Sequence, residues 1–415
     1  MSVSQGGEGR LMPQSTPLGR GALLTRVSEP GSAGHVLDLI RRTGGLTRAE
    51  ILELTGLARS TVTSRLAILQ SAGLVTAGGT TATGRGRPAS QFHFRHDNGT
   101  LLLADAGATG VRTAVTSLDG TIHHEVKVPL DITIGPDAWL AEVSSHFTAL
   151  LRHEGCDPSF VRGIGIALPG PVDFASGTVV QPPIMTGWNG YPIRSWFAKA
   201  FDCPVIVDND ANAMATGEYA NAHSDRSSMV MLKVATGIGA GIIVERRIYR
   251  GEDGAAGDLG HIQLGPLGDR GVPQCRCGNF GCVEAYAAGW ALVRDLQAEG
   301  RAVNGVPDLV RLVQAGDPVA LNMTREAGRT IGIALSDAVS LLNPAVVVIG
   351  GELGDAAANI VAGVREAVYA RSLPLATRRL EIQAATLGHT AGLNGLAITL
   401  TDHVYDPARV DASLA

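Results

Sequence analysis

A membrane-spanning helix needs about 20 consecutive apolar residues, and the 415-residue sequence has no such run. The opening MSVSQGGEGRLMPQSTPLGRG also lacks the apolar core of a secretory signal. Its Gly, Ser and Pro content predicts a disordered leader over residues 1–30. Export and membrane insertion are therefore not expected, and the chain is placed in the cytoplasm. Cysteine is scarce: the chain has five, and three of them fall between residues 275 and 282. In a reducing compartment, crowded cysteines more often bind metal than form disulfides. Lysine is missing altogether from residues 1–96, where eleven arginines face five acids, a balance of +6. The remainder carries 23 bases and 34 acids, a balance of −11. A small basic module joined to a large acidic body points to a polyanion reader fused to something else. At this length two or three domains are expected.

Downstream of His35 the apolar pattern predicts three short helices. Val36, Leu37 and Ile40 share a face of the first, which Gly44-Gly45 ends. Thr47-Arg48-Ala49-Glu50 opens the second as a capping box: the threonine hydroxyl takes an orphan N–H and the glutamate reaches back. Ile51, Leu52 and Leu54 supply its buried side, and Gly56 makes the turn. In the third helix, Val62, Leu66 and Leu69 recur at helical spacing and face inward. Its outward face is Ser60, Thr61, Ser64, Ala67 and Ile68, flanked by Arg59 and Arg65. Hydroxyls that donate to phosphates or base edges, and arginines that reach guanine, suit a helix lying in a major groove. A strand, a glycine-rich loop and a returning strand follow over residues 74–94, as in a wing. Arg85 and Arg87, spaced by one glycine, fit a minor groove, where the phosphate potential is strongest. Residues 31–96 thus read as a winged helix-turn-helix DNA-binding domain. A three-helix protein-binding domain with a solvated basic loop is the bland alternative.

The acidic body holds two similar passages, residues 101–120 and 229–251, each a strand, a glycine turn and a second strand. They predict two β-hairpins opening two related α/β lobes. Residues 344–350 form a continuous apolar run, as expected of a strand buried on both faces. Helical segments are expected over 137–154, 285–299 and 319–342, so sheets are covered by helices. Asp105-Ala-Gly-Ala-Thr109, Pro169-Gly-Pro-Val-Asp173, Asp208-Asn-Asp-Ala-Asn-Ala213, Thr236-Gly-Ile-Gly-Ala-Gly241, Gly260-His261 and Cys275-Arg-Cys-Gly-Asn-Phe-Gly-Cys-Val-Glu284 occur in that order. This ordered set resembles the ROK family of transcriptional repressors and sugar kinases, and the winged module before it resembles the regulator branch. The resemblance implies a two-lobed, actin-like (ribonuclease H-like) sugar-kinase-type ATPase fold. The first lobe is expected at 97–215, completed by a C-terminal helix near 386–405, and the second at 216–385 with the cysteine loop.

Cys275, Cys277 and Cys282 with the upstream His261 offer three thiolates and one imidazole, the closed tetrahedral set that structural zinc prefers. Gly278 and Gly281 let the short loop fold around an ion. The resemblance assigns the same four residues to a structural Zn2+, and an ion with no open coordination position would serve to fix His261 and Glu284. It further implies that Asn209, Asp210, Asp258, His261 and Glu284 contact the hydroxyls of a bound sugar. Asp258 stands where the family usually has glutamate, a shorter arm that bears on which sugar fits. The plain readings are reduced cysteines packed in a loop, Asp210 as a helix cap and Glu284 as a solvated side chain.

In the kinase branch the residue matching Asp210 is the general base, and two glycine loops hold ATP phosphates. Asp210 is kept here. Ala108, however, replaces the second glycine of Asp-x-Gly-Gly-Thr, and Ala235 and Ala240 stand where kinases favour glycine. A methyl group limits positive φ and obstructs close phosphate approach, so kinase activity is not expected. The resulting reading is a sugar-responsive transcriptional regulator of the repressor type. It would bind a double-stranded DNA operator as a homodimer or homotetramer and take its sugar between the lobes. An active sugar kinase with an appended DNA-binding module is the alternative. A zinc-dependent interaction protein without a small ligand is a third reading.

Overall fold

The computed structural model describes residues 31–81, 89–268, 271–353 and 357–415. Arg85, Arg87 and the leader expected over residues 1–30 lie outside the described residues. The chain divides into two compact units, Met1–Phe94 with Pro407–Ala415, and Arg95–Asp406.

The first unit runs α1 (Ala33–Thr43), β1 (Leu46–Thr47), α2 (Arg48–Thr55), α3 (Arg59–Ser71), β2 (Val75–Thr81) and β3 (Ala89–Phe94). Val36, Leu37 and Ile40 of α1, Ile51 of α2, and Val62, Leu66 and Leu69 of α3 are buried. Gly44, with φ of 76°, ends α1 in the left-handed region that favours glycine. The capping box forms as its sequence predicts. Glu50 N donates to Thr47 Oγ1 at 3.3 Å, and Thr47 N donates to Glu50 Oε2 at 2.9 Å. β2 and β3 form the antiparallel wing hairpin. β1 adds a third strand by pairing Leu46 with Phe92 and Thr47 with Gln91. Two residues are too few for an alternating pattern, so this strand is not legible in the sequence.

The second unit begins with β4 (Thr100–Ala106), β5 (Val111–Ser117), β6 (Ile122–Val128), α4 (Pro136–Glu154) and β7 (Val161–Leu168). A small hairpin of β8 (Val172–Asp173) and β9 (Thr178–Val179) follows, then α5 (Ile193–Phe197), β10 (Val205–Asn209) and α6 (Asp210–Ala222). The chain continues with β11 (Met229–Val234), β12 (Ile238–Val244), β13 (Arg247–Tyr249), α7 (Val283–Ala287), α8 (Gly289–Ala298), α9 (Val306–Gln314) and α10 (Pro318–Leu342). β14 (Val346–Gly350), α11 (Ala357–Arg371), α12 (Pro374–Thr377), β15 (Glu381–Ala384), α13 (Ala391–Val404) and α14 (Pro407–Leu414) complete it.

The strand orders are β10-β7-β4-β5-β6 and β13-β12-β11-β14-β15. Both sheets are wound alike. The first strand of each forms an antiparallel hairpin that a third strand extends. A fourth and fifth strand then add in parallel on the first strand's other side. The two glycine-turn passages in the sequence are the opening hairpins of this repeated winding.

The single helix expected over 285–299 is broken in two. Gly289 N donates to Ala235 O at 2.9 Å and Trp290 N to Thr236 O at 3.2 Å, so the chain docks on the β11–β12 turn before α8 begins. α13 packs on α6 and on β4 and β7. At this crossing a Cβ on Gly217 would lie 2.1 Å from Ala391 O, and one on Gly395 1.8 Å from Ala213 O. Only glycine admits such backbone contact. α14 then leaves this unit and folds with the first, where Gly34 N donates to Asp411 Oδ1 at 2.8 Å. Among the described residues, no helix is long and apolar enough to cross a membrane.

Candidate functional site

A cavity of about 870 Å³ opens in the second unit between its two sheets, within the range of small-molecule sites. Asn209 and Asp210 lie at its floor, where β10 turns into α6. Asn209 caps that helix: its side-chain oxygen accepts from Ala211 N at 2.9 Å and Asn212 N at 3.2 Å. Its Nδ2 donates to Gly170 O at 2.9 Å, so both ends of the amide are held. The helix cap is therefore Asn209, which frees Asp210 for the cavity. Asp210 is buried and ion-paired with Lys233 of β11. Beneath the floor, the buried Asp208 pairs with Arg250 at 2.5 Å, whose guanidinium stacks on Phe174 at 3.9 Å.

Asp105, at the end of β4, lines the same cavity. Burial pushes its carboxyl from the ordinary 3.8 up to about 6, opposed by Lys233 and reinforced by Asp210. Burial works against the charge on Lys233, yet Asp210 and then Asp105 outweigh it and hold its pKa above the ordinary 10.5. Lys233 escapes a reading of the sequence. A lone lysine in a strand looks solvated until the fold brings its partner close.

Glu284 enters the cavity from the first turn of α7. Its Oε2 accepts from Ile238 N at 3.1 Å and its Oε1 from Trp290 Nε1 at 3.2 Å. A Cβ on Gly237 would stand 2.7 Å from Oε2, so that glycine admits the carboxylate. The half-buried His261 and the exposed Asp258 also line the wall. The fold thus brings Asn209, Asp210, Asp258, His261 and Glu284 to one cavity.

Behind that wall, one ligand atom from each of His261, Cys275, Cys277 and Cys282 lies within 4.8 Å of the other three. His261 Nδ1 is 3.7 Å from Cys275 Sγ, and Cys277 Sγ is 3.7 Å from Cys282 Sγ. Two thiolates bound tetrahedrally at about 2.3 Å stand about 3.8 Å apart, so these side chains can hold a metal ion. The loop is pinned from both sides: Cys275 N donates to Asn279 O at 2.7 Å, and Leu264 N to Gly281 O at 2.7 Å. Gly278 and Gly281 take φ of 93° and 73°, the conformations expected of them. Burial pushes the Cys282 thiol up to about 12.

Ala108, Ala235 and Ala240 do not adopt positive φ. The retained Gly241 has a packing role: a Cβ there would lie 2.4 Å from Ala215 Cβ and 2.6 Å from Ala211 O of α6. The glycines of this strand therefore answer to helix packing as well as to any phosphate.

In the first unit, Arg59, Ser60, Ser64, Ala67 and Ile68 of α3 are exposed on one side, and Thr61 is half-buried. Arg65 is half-buried too, and its Nε donates to Gly31 O at 3.1 Å, so part of its side chain braces the unit. α3 starts on Ala58, which offers no side-chain cap. Its first N–H groups thus lack the usual acceptor, an arrangement that receives phosphate well.

The ROK family model matches residues 102–403 and a MarR family model matches residues 30–86. The xylose repressor of Bacillus spizizenii is 28% identical over 381 residues, which cover 89% of this chain and 95% of that protein. The crystal structure of a ROK family transcriptional regulator, a homologue of the E. coli MLC protein, superposes with a TM-score of 0.77 at 27% identity. The match covers 92% of this chain and 98% of that one. A ROK family glucokinase from Streptomyces griseus, solved with glucose and AMPPNP, gives a TM-score of 0.63 at 29% identity, covering 72% and 99%.

Proposed function

The chain belongs to the ROK family, and from that premise we propose that it is a sugar-responsive DNA-binding regulator, a repressor of genes for carbohydrate uptake or catabolism. One observation carries the reading. A cavity lined by a fixed amide and several carboxylates shares a chain with a winged-helix unit. Relatives that span both are named xylose repressors.

The cavity suits a polyhydroxylated ligand. Asp210, Asp258 and Glu284 offer oxygen acceptors to vicinal hydroxyls and Asn209 the second N–H of its amide, and a ligand without matching hydroxyls would leave buried polar groups unpaired. We assign a structural Zn2+ to His261, Cys275, Cys277 and Cys282. With Nδ1 turned to the cysteines, the other ring nitrogen of His261 faces the sugar. Zinc then supplies rigidity: it fixes the cysteine loop from which α7 and Glu284 emerge. Arg59, Ser60, Thr61 and Ser64 meet DNA, with Arg65 reaching phosphate past its internal bond, and Arg85 and Arg87 follow the wing into a minor groove. A homodimer or homotetramer in the cytoplasm presents two such units to a palindromic operator. Reversing a strongly biased equilibrium, from about 1:99 to 99:1, takes about 5.5 kcal/mol of differential affinity. Several hydroxyl contacts made only in a closed cleft are of that order.

Sugar phosphorylation is the second reading, favoured by Asp210 and by the likeness to a glucokinase. It loses ground because Asp210 is tied to Lys233 and because Ala108, Ala235 and Ala240 replace glycines. A thermal-shift screen over hexoses, pentoses and N-acetylated sugars, run beside an ADP-release assay, tests both. At about 100 times its Kd, a sugar binding only the folded chain adds about 2.7 kcal/mol of stability. The expected result is a shift with at least one sugar, lost in Asp210→Asn, with no Asp210-dependent ADP release. Absence of any shift would favour a zinc-dependent interaction protein without a small ligand, and robust ADP release would restore the kinase.

A further inference from the structure

Lys233 reaches the cavity through a gap made for it. On the β11–β12 pair it stands opposite Gly239, and on the β11–β14 pair opposite Gly350. Directly paired residues share a face of the sheet, so neither strand partner directly opposite carries a side chain that would crowd the lysine. Its ammonium ends on Asp210, with the two side chains 16% and 8% exposed. Asp105 and Glu352 act on the same charge, and both line the cavity.

From this placement we infer that Lys233 is the cavity's built-in counterion, standing where a divalent cation would otherwise be needed between Asp105 and Asp210. The cavity then accepts an uncharged polyhydroxylated ligand and neither a free divalent ion nor a metal-chelated nucleotide. Asp105 and Asp210 repel each other electrostatically, a cost that a shared proton or a cation relieves, and the ammonium on Asp210 supplies the cation. Magnesium would be held through one or two carboxylates plus substrate phosphates. A tethered ammonium satisfies the same carboxylates without leaving coordination positions open for phosphate oxygens, and phosphoryl transfer depends on that bridge. The same contact occupies the Asp210 carboxylate that a general base would turn toward its substrate hydroxyl. The ligand class rests on the reading above. The charge balance does not, and its test needs no sugar.

Mn2+ is the probe, followed by the electron paramagnetic resonance of the free ion in zinc-replete full-length protein. The wild-type chain is expected to bind no Mn2+ beyond what the doubly substituted Asp105→Asn, Asp210→Asn chain binds. Lys233→Met, which keeps the length of the side chain and removes its charge, is expected to gain one Mn2+ site. That site should be at least about tenfold tighter than any in the wild type and should vanish when Asp210→Asn is added. Should Lys233→Met fail to fold, Lys233→Gln, whose amide still donates to Asp210, takes its place in the same comparison. Mn2+ binding by the wild type that Asp210→Asn abolishes would overturn the inference. So would a folded, uncharged variant that gains no site.

Discussion

Asp105 has a carboxyl that protonates near 6 when folded and at 3.8 when unfolded, because burial disfavours its charge. Between those values the folded chain binds more protons than the unfolded one, so this group's contribution to stability falls as pH rises from about 4 to about 6. Asp105→Asn removes the cost. Its melting temperature is expected to match the wild type below about pH 4 and to exceed it above about pH 6. An excess that shrinks with rising pH would reverse the assignment. Cys277→Ser leaves three ligands where structural zinc takes four. Zinc content should fall from one equivalent to near none, with the sugar-induced thermal shift lost and operator binding kept. A sugar shift that survives without zinc would remove the bracing role given to the metal. At this scale, the residues in motifs were legible. Asp210 and Glu284 sit in runs that the family resemblance marks, and the spacing of His261, Cys275, Cys277 and Cys282 points to the cluster that the structure brings together. Lys233 was not, because strand alternation fixes a period and does not say which face meets an acid from another element.

α3 was legible as an element because three apolar positions at helical spacing force one face inward and leave the other to solvent. Arg65 belongs to both faces, and spacing alone placed it at the flank of the outward one. Arg59→Ala is expected to weaken operator binding about equally across sequences and to reduce the salt slope by about one. Arg65→Ala should also lower the stability of the first unit, through its lost bond to Gly31. An unchanged salt slope in Arg59→Ala, measured by anisotropy over a salt series, would remove Arg59 from the phosphate contacts. The break between α7 and α8 was hidden for a related reason. Helical periodicity continues across it, and only the approach of Ala235 and Thr236 explains why the backbone turns aside at Gly289.

Across the whole molecule, the order of the motifs was enough to recognise the family and with it the fold of the body, and four of the six motifs mark the end of a strand in a repeated winding. The fate of the last helix was not readable. Its partner, Gly34, lies 377 residues away from Asp411, and an eight-residue amphipathic segment names no partner. Both ends of the body therefore run directly into the first unit, through Phe94 and through Asp406. Removing residues 407–415 is expected to destabilise the first unit and weaken operator binding while the sugar-induced shift of the second unit persists. Equal loss of both would mean that α14 serves the body instead.

The account as a whole depends on sugar in the cavity changing the hold on DNA. The direct measurement is anisotropy of an operator fragment, selected from random DNA, titrated with full-length protein with and without the sugar found by thermal shift. The wild type is expected to lose at least about tenfold in operator affinity, about 1.4 kcal/mol, when sugar is present. Asp210→Asn should bind the operator as tightly and ignore the sugar. A sugar that occupies the cavity and leaves operator affinity unchanged would contradict the account.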